Sequence, residues 1–428
     1  MSYQCDITTR IRLRDLLYER MDPQSIAQDF VIDQARTRNQ VQAHLQQILA
    51  AGHAPHIPTY YHQDAIDDTI NALLGFGPID ELLADEDITE VMVNGPGQIY
   101  FERAGRLYPS DRSFSDEETL RGVIDRIISP LGRRIDEQTP IVNARLSDGH
   151  RVHAIIPPLA LDGPTLTIRK FRAHIYTLTE LAELDALPLW LVQLLRWAVA
   201  LRLNIAVTGG TGSGKTTLLN ALSLEIGHGE RIITIEDSAE LKFHAHPHVV
   251  RLESRMPNIE GEGEVAIRDL VITSLRMRPD RIVVGEVRGA EALEMLQAMN
   301  TGHDGSLTTV HANSPFELIS RLITMVSYGS SMGASQIATQ IGAAIDLVIH
   351  QSRLGDGSRR VTSVCEVGIG KGGECALKEI ARFEQTGVSD FGLVEGRMVL
   401  CENPRFLDAL HVKGIATPEE VSTWRSQI

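Results

Sequence analysis

The stretch Gly209-Gly210-Thr211-Gly212-Ser213-Gly214-Lys215-Thr216 decides how the rest of the chain is read. It has the spacing G-x-x-x-x-G-K-[ST] of a phosphate loop. Glycines let backbone N–H groups turn inward around phosphate oxygens with no side chain in the way. The helix that follows points its positive end at the same anion. Lys215 can then reach the β- and γ-phosphates, and the Thr216 hydroxyl can ligate Mg²⁺. The flanks have the required order of strand, loop and helix. Leu203 to Val207 is a short apolar run suited to a buried parallel strand, and Thr217 to Leu222 continues as a helix. This context favours a nucleoside-triphosphate site over Gly209–Thr217 rather than a chance glycine-rich turn.

Composition bounds the reading. A chain of 428 residues suggests two or three domains. With 43% hydrophobic and 23% charged residues it reads as an ordinary globular protein. A formal net charge of −15 argues against broad nucleic-acid binding. Cys5, Cys365, Cys375 and Cys401 form no C-x-x-C pair, so neither a zinc site nor a disulfide framework is indicated, and a reducing cytoplasm is expected. Met1 to Arg10 lacks the pattern of a signal peptide. Leu187 to Val207 is the longest apolar region, but Gln193, Arg196, Arg202 and Asn204 interrupt it, so any membrane association is expected to be peripheral.

Three regions follow. Residues 1–62 read as helices and a linker, with Val41, Leu45, Ile48 and Leu49 on one helical face. That stripe reads first as a packed surface and second as an arm for a partner. Residues 63–176 read as an α+β domain. Ile88–Asn94 and Gln98–Arg103 are expected strands, Ser115 with Glu118 an expected capping box, and the Asp148-Gly149 turn an expected hairpin. From residue 177 to 428 strands and helices alternate, which predicts an α/β domain with a doubly wound, mainly parallel sheet.

Hydrolysis needs an acid that manages Mg²⁺ and a group that orients water. Arg281 to Glu286 is an apolar strand ending in a carboxylate, and strand ends of such sheets face the ligand crevice. Glu286 is therefore placed to act on Mg²⁺ or its water shell. Ile233 to Glu240 is a second strand, ending in Glu236, Asp237 and Glu240, any one of which could be the general base. His303 and His311 bracket a strand, and His311 at its far end could sense the γ-phosphate. Either histidine alone reads as structural. His244-Ala245-His246-Pro247-His248 lacks a fourth ligand and reads as a loop.

The set G-G-T-G-S-G-K-T, I-T-I-E-D-S-A-E, R-M-R-P-D-R-I-V-V-G-E-V-R-G and A-M-N-T-G-H-D-G-S-L-T-T-V-H-A-N-S-P resembles the ATPases of type II and type IV secretion systems. Within them it is most similar to the CpaF/TadA branch, which drives tight-adherence (Flp) pili. V-M-V-N-G-P, G-R-R-I-D and T-I-R-K-F extend the resemblance over residues 65–370. It implies a RecA-like ATPase domain that binds ATP and Mg²⁺. Lys215 and Thr216 resemble the Walker A pair, with Gly209, Gly210, Thr211, Gly212, Ser213, Gly214 and Thr217 completing the loop. Glu286 resembles a Walker B glutamate, Glu240 the proposed catalytic base, and His303 and His311 the histidine box. Arg145, Arg151, Arg169 and Arg172 lie where the family's N-terminal domain sends arginines toward nucleotide; surface charge is the plainer reading of these four. The histidine spacing is one residue longer than in pilus-retraction members.

The resemblance further implies a homo-hexameric ring on the cytoplasmic side of a bacterial inner membrane. Such a ring presses on polytopic platform proteins, with a hinge at Arg172–Leu178. A conjugation-type or DNA-uptake ATPase of the same superfamily would carry the same site. A GTPase switch is disfavoured because no N-K-x-D segment is present.

Overall fold

The computed structural model describes residues 7–22, 25–26, 29, 33–52, 57–103, 105–131, 133–146, 149–171, 175–243, 246–255, 257 and 262–428. They fall into two compact units, Met1–Ala173 and His174–Ile428, each treated by itself below. Among the described residues no helix is long and apolar enough to cross a membrane.

The first unit contains two cores. Helices Ile7–Tyr18, Gln34–Ala50 and His62–Leu74 share one of them. Val41, Leu45, Ile48 and Leu49 are all buried in it, so the apolar stripe is packed within the unit. The other core lies under a six-stranded antiparallel sheet built from β1 (Ile88–Asn94), β2 (Ile99–Arg103), β3 (Arg106–Pro109), β4 (Ile141–Arg145), β5 (Arg151–Ile155) and β6 (Thr165–Arg169). Their order is β3-β2-β1-β6-β5-β4. Helix Glu117–Ile128 covers one face with Leu120, Val123, Ile124, Ile127 and Ile128. This helix begins one residue later than the sequence suggests. Asp116, not Ser115, is the N-cap, and its carboxylate accepts from Thr119 N at 2.7 Å. An aspartate satisfies an orphan amide as well as serine does and adds a charge that the dipole favours.

The second unit is a nine-stranded sheet in the order β15-β14-β13-β12-β7-β11-β10-β8-β9. Its strands are β7 (Ile205–Gly209), β8 (Ile232–Glu236), β9 (Val249–Glu253), β10 (Arg281–Val287), β11 (Leu307–His311), β12 (Leu347–Arg353), β13 (Arg359–Ile369), β14 (Cys375–Val388) and β15 (Val394–Leu400). All pairings from β9 across to β12 are parallel. β12 through β15 continue as antiparallel hairpins. Helices cover both faces, which is why β7 and β8 are buried on every residue. On β7, Ile205 and Val207 enter one core and Ala206 the other. On β10, Val283 enters the first while Ile282 and Val284 enter the second. The expected mainly parallel, doubly wound α/β domain is thus present. The C-terminal segment, which carries little sequence signal, extends the sheet and then docks. Trp424 is buried, and its indole N–H donates to Trp190 O at 2.7 Å.

Two polar side chains lock the N-terminal edge of this sheet. Asn204 Oδ1 accepts from Gly305 N and Ser306 N, both at 3.0 Å, and its Nδ2 donates to Ala344 O at 2.8 Å. The starts of β7, β11 and β12 are thereby tied together. Arg281, only 1% exposed, grips Glu230 with two hydrogen bonds of 2.8 and 2.9 Å. It also donates to Val199 O. Burial pushes the Glu230 carboxyl up, but the bonds from Arg281 outweigh it and hold it below its usual range. Removing Arg281 takes both of these bonds from Glu230, leaving it Arg202 at 3.2 Å, and takes a donor from the buried Val199 carbonyl, so Arg281→Ala should cost about 3 kcal/mol. Chemical denaturation of the full chain measures this. A loss below about 1 kcal/mol would mean the pair behaves like a surface contact.

Candidate functional site

β7 ends at Gly209, the chain turns through residues 210–214, and helix Lys215–Ser223 begins. Gly214 caps that helix in the left-handed region at φ +99°. At Gly209 the constraint is space. A Cβ there would stand 2.2 Å from Gln351 O and 2.5 Å from Ser213 Oγ, closer than any real contact. Lys215 Nζ donates to the carbonyls of Gly209 and Gly210 at 3.0 and 2.9 Å, which sets its charge over the start of the loop. Thr216 and Thr217 lie half-buried in the first turn of the helix. Ser213 Oγ is buried without a hydrogen-bond partner, as a polar atom facing a ligand cradle would be.

The neighbouring strand ends bring the other chemistry alongside. In register, His311 of β11 stands beside Gly209, and His350 of β12 beside Thr208. His303 sits on the chain before β11 begins, at the opposite edge of the sheet, against Ala298 O. A five-residue strand spans about 16 Å, so the two predicted histidines do not share a site. His350 has no counterpart in the sequence reading. Burial holds its pKa below the ordinary value, and Lys215 lowers it further against the pull of Glu317.

The structure sorts the acids that the sequence left grouped. Glu236, at the end of β8, is 3% exposed. Its Oε2 accepts from the backbone amides of Glu240 and Leu241 at 2.6 and 2.8 Å, while Oε1 is buried without a partner. It therefore shapes the segment that carries the other two acids. Asp237 is exposed and Glu240 half-buried. Asn220, on the helix after the phosphate loop, accepts from Lys242 N at 2.9 Å and so docks this acidic segment beside the loop. Glu286, near the end of β10, is paired with Arg288, which also reaches Asp237 at 3.3 Å. Arg288 joins the two acidic strand ends, a role that the sequence reading did not assign. The histidine-rich loop carries no metal cluster among the described residues; His246 bonds to Gly227 O at 2.9 Å, and His244 lies outside them.

In the first unit, Arg145 stands opposite Arg151, Arg151 opposite Arg169, and Arg169 opposite Glu90. These positions alternate with the core-facing Val152 and Ile168, so the arginines share the sheet face away from that core. The Arg145 guanidinium lies 5.8 Å over the Phe171 ring. Arg172 and the first part of the expected hinge, residues 172–174, are outside the described residues.

A model of the type II/IV secretion system protein family matches residues 72–405, and the chain belongs to that family. It is 39% identical over 298 residues to a putative conjugal transfer protein of Mycobacterium tuberculosis, covering 68% of this chain and 84% of that one. It is 32% identical over 289 residues to the conjugal transfer protein TrbB of Rhizobium radiobacter, covering 67% and 85%. Among solved structures, the ATPase DotB of Yersinia pseudotuberculosis superposes with a TM-score of 0.50 at 18% identity, covering 73% of this chain and 81% of that one; this is a likeness of fold.

Burial raises the Glu236 carboxyl to about 7, and the amides of Leu241 and Glu240 offset only part of the rise. An acid whose folded pKa lies above its unfolded value stabilises most at low pH. That contribution is lost as pH rises through the folded value. Relative to Glu236→Gln, the wild type should lose stability on the order of 3 kcal/mol between about pH 5 and about pH 8. Urea denaturation of both proteins across that range measures the difference. A pH-independent difference would show that Glu236 titrates normally.

Proposed function

We propose that this chain hydrolyses ATP to ADP and phosphate and works as a homo-hexameric motor of the CpaF/TadA branch, powering a tight-adherence (Flp) pilus or protein secretion. The observation that carries this reading is the phosphate loop at the C-terminal end of a parallel sheet, with the acids of β8 and β10 on one side of it. Lys215 neutralises phosphate charge from above the loop. The carboxylate of Glu286 and the hydroxyl of Thr216 are the hard oxygen donors that Mg²⁺ takes, and would hold it where it neutralises the phosphates. Glu240 orients and deprotonates the attacking water, on a segment shaped by Glu236. His311, beside Gly209, donates toward the γ-phosphate end.

Arg145, Arg151, Arg169 and Arg172 belong to the proposed N-terminal domain, residues 63–176, and reach nucleotide held by the ATPase domain, residues 177–428. Loss of the γ-phosphate then becomes hinge movement at Arg172–Leu178. The motor would act from the cytoplasm on polytopic platform proteins of the inner membrane, associating with the membrane peripherally and with no direct nucleic-acid contact. A second reading, a conjugation-type ATPase, is favoured by the names of two relatives. Neighbouring genes separate the two: a small pilin and two polytopic membrane proteins favour the pilus.

Lys215→Ala should lower ATPase turnover at least about 100-fold, and normal turnover in that variant refutes the site. Glu286→Gln should keep nucleotide binding and lose turnover by about two to four orders of magnitude; lost binding instead would make Glu286 structural. Light scattering with a non-hydrolysable ATP analogue should give the mass of a hexamer, and a persistent monomer counts against the ring.

A further inference from the structure

The hairpin of β12 and β13 borders the phosphate loop and has no role in the reading above. Arg359 Nε donates to Gly212 O at 2.9 Å, and its Cδ would lie 3.4 Å from a Cβ at Gly214. Arg353 Nη1 comes within 4.0 Å of the same test position at Gly212. The two arginines are direct partners across the antiparallel ladder, so their side chains share a face. Like charges directly opposite each other destabilise a strand pair. The hairpin is nonetheless firmly set. Asp356 in its turn accepts from Ser358 N at 2.9 Å and from Val394 N at 2.8 Å. On β12 itself, against the loop, is Gln351, 3% exposed, with its Oε1 buried and unpartnered and its Nε2 3.1 Å from a Cβ placed at Gly214. A buried side chain with an unmet acceptor, a buried serine hydroxyl in the same state, and two facing guanidiniums surround one loop.

Strand order assigns the end of the ligand that they meet. The acids lie on β10 and β8, on one side of β7, and the hairpin lies on the other. Mg²⁺ and the γ-phosphate belong with the acids. We infer that Arg353 and Arg359 form a second wall of the nucleotide site, gripping the α-phosphate end of a nucleoside di- or triphosphate. This rests on the ATPase reading. A guanidinium carries its N–H donors in a fork that fits phosphate oxygens.

The test is the affinity of the full-length protein for ATP and ADP, read with fluorescent analogues, in Arg353→Gln, Arg359→Gln and Arg359→Lys. Both nucleotides should weaken by the same factor, about tenfold for each Gln variant. KM for ATP should rise in step while kcat stays within about twofold. Arg359→Lys should recover part of the loss. Arg353→Gln leaves the Gly212 contact in place, so it reports even if Arg359→Gln fails to fold. Unchanged affinities, or a loss for ATP alone, overturn the inference. A wild type that binds neither nucleotide, or a Lys215→Ala variant that binds both normally, instead overturns the ATPase reading itself.

Discussion

A backbone carbonyl of β12 and a serine hydroxyl crowd Gly209 so closely that no side chain fits between them. That close approach fixes where β7 stops and the loop starts. It requires β12 to run parallel and adjacent to β7, which the register confirms from Ile205 against Leu347 to Thr208 against His350. It also requires the two strands to begin level, which Asn204 enforces from the other end through its bonds to the β11 start and to Ala344. Both ends of β7 are thus set by contacts with residues over 90 positions away in the chain. The loop geometry is a product of the whole sheet rather than of the eight residues that announce it.

The acids follow a similar logic of position over identity. Glu236, Asp237 and Glu240 are four residues apart at most, yet one is buried, one exposed and one half-buried. Burial keeps a proton on Glu236 far above the usual carboxylate range. A carboxyl in that state accepts backbone bonds without adding a full charge to an already acidic edge. Of the remaining acids, Asp237 and Glu286 are spanned by Arg288, which Glu240 also attracts. Acids near a phosphate chain repel it; burial that favours the protonated form of Glu236, and a guanidinium between Asp237 and Glu286, lessen that repulsion.

Local features were legible in the sequence where periodicity or motif spacing is strong. The phosphate loop, the strands β7, β8, β10 and β11, the helical stripe of Val41 to Leu49 and the strands β1 and β2 of the first unit can all be read from patterns of a dozen residues. The helix N-cap moved from Ser115 to Asp116 because two adjacent capping residues give the same signal. The relation of the β12–β13 hairpin to the loop escaped notice because it spans 147 positions and no local pattern encodes it. The Asp356-Gly357 turn was the available clue. His303 and His311 bracket a strand in the sequence already, and the register adds that His311 is the one beside Gly209.

The chain carries 56 acidic and 41 basic residues, so composition would readily supply a carboxylate opposite any arginine on a strand. Both sheets nevertheless set arginine against arginine. Arg151 stands between Arg145 and Arg169 in the first unit, and Arg353 faces Arg359 in the second. Arg281 with Glu230 and Arg268 with Glu294 show the other arrangement, an arginine against a carboxylate. Arg169 meets Glu90 on one side and Arg151 on the other, so what sets the facing arginines apart is that they cluster on one strand face rather than pairing singly with a carboxylate.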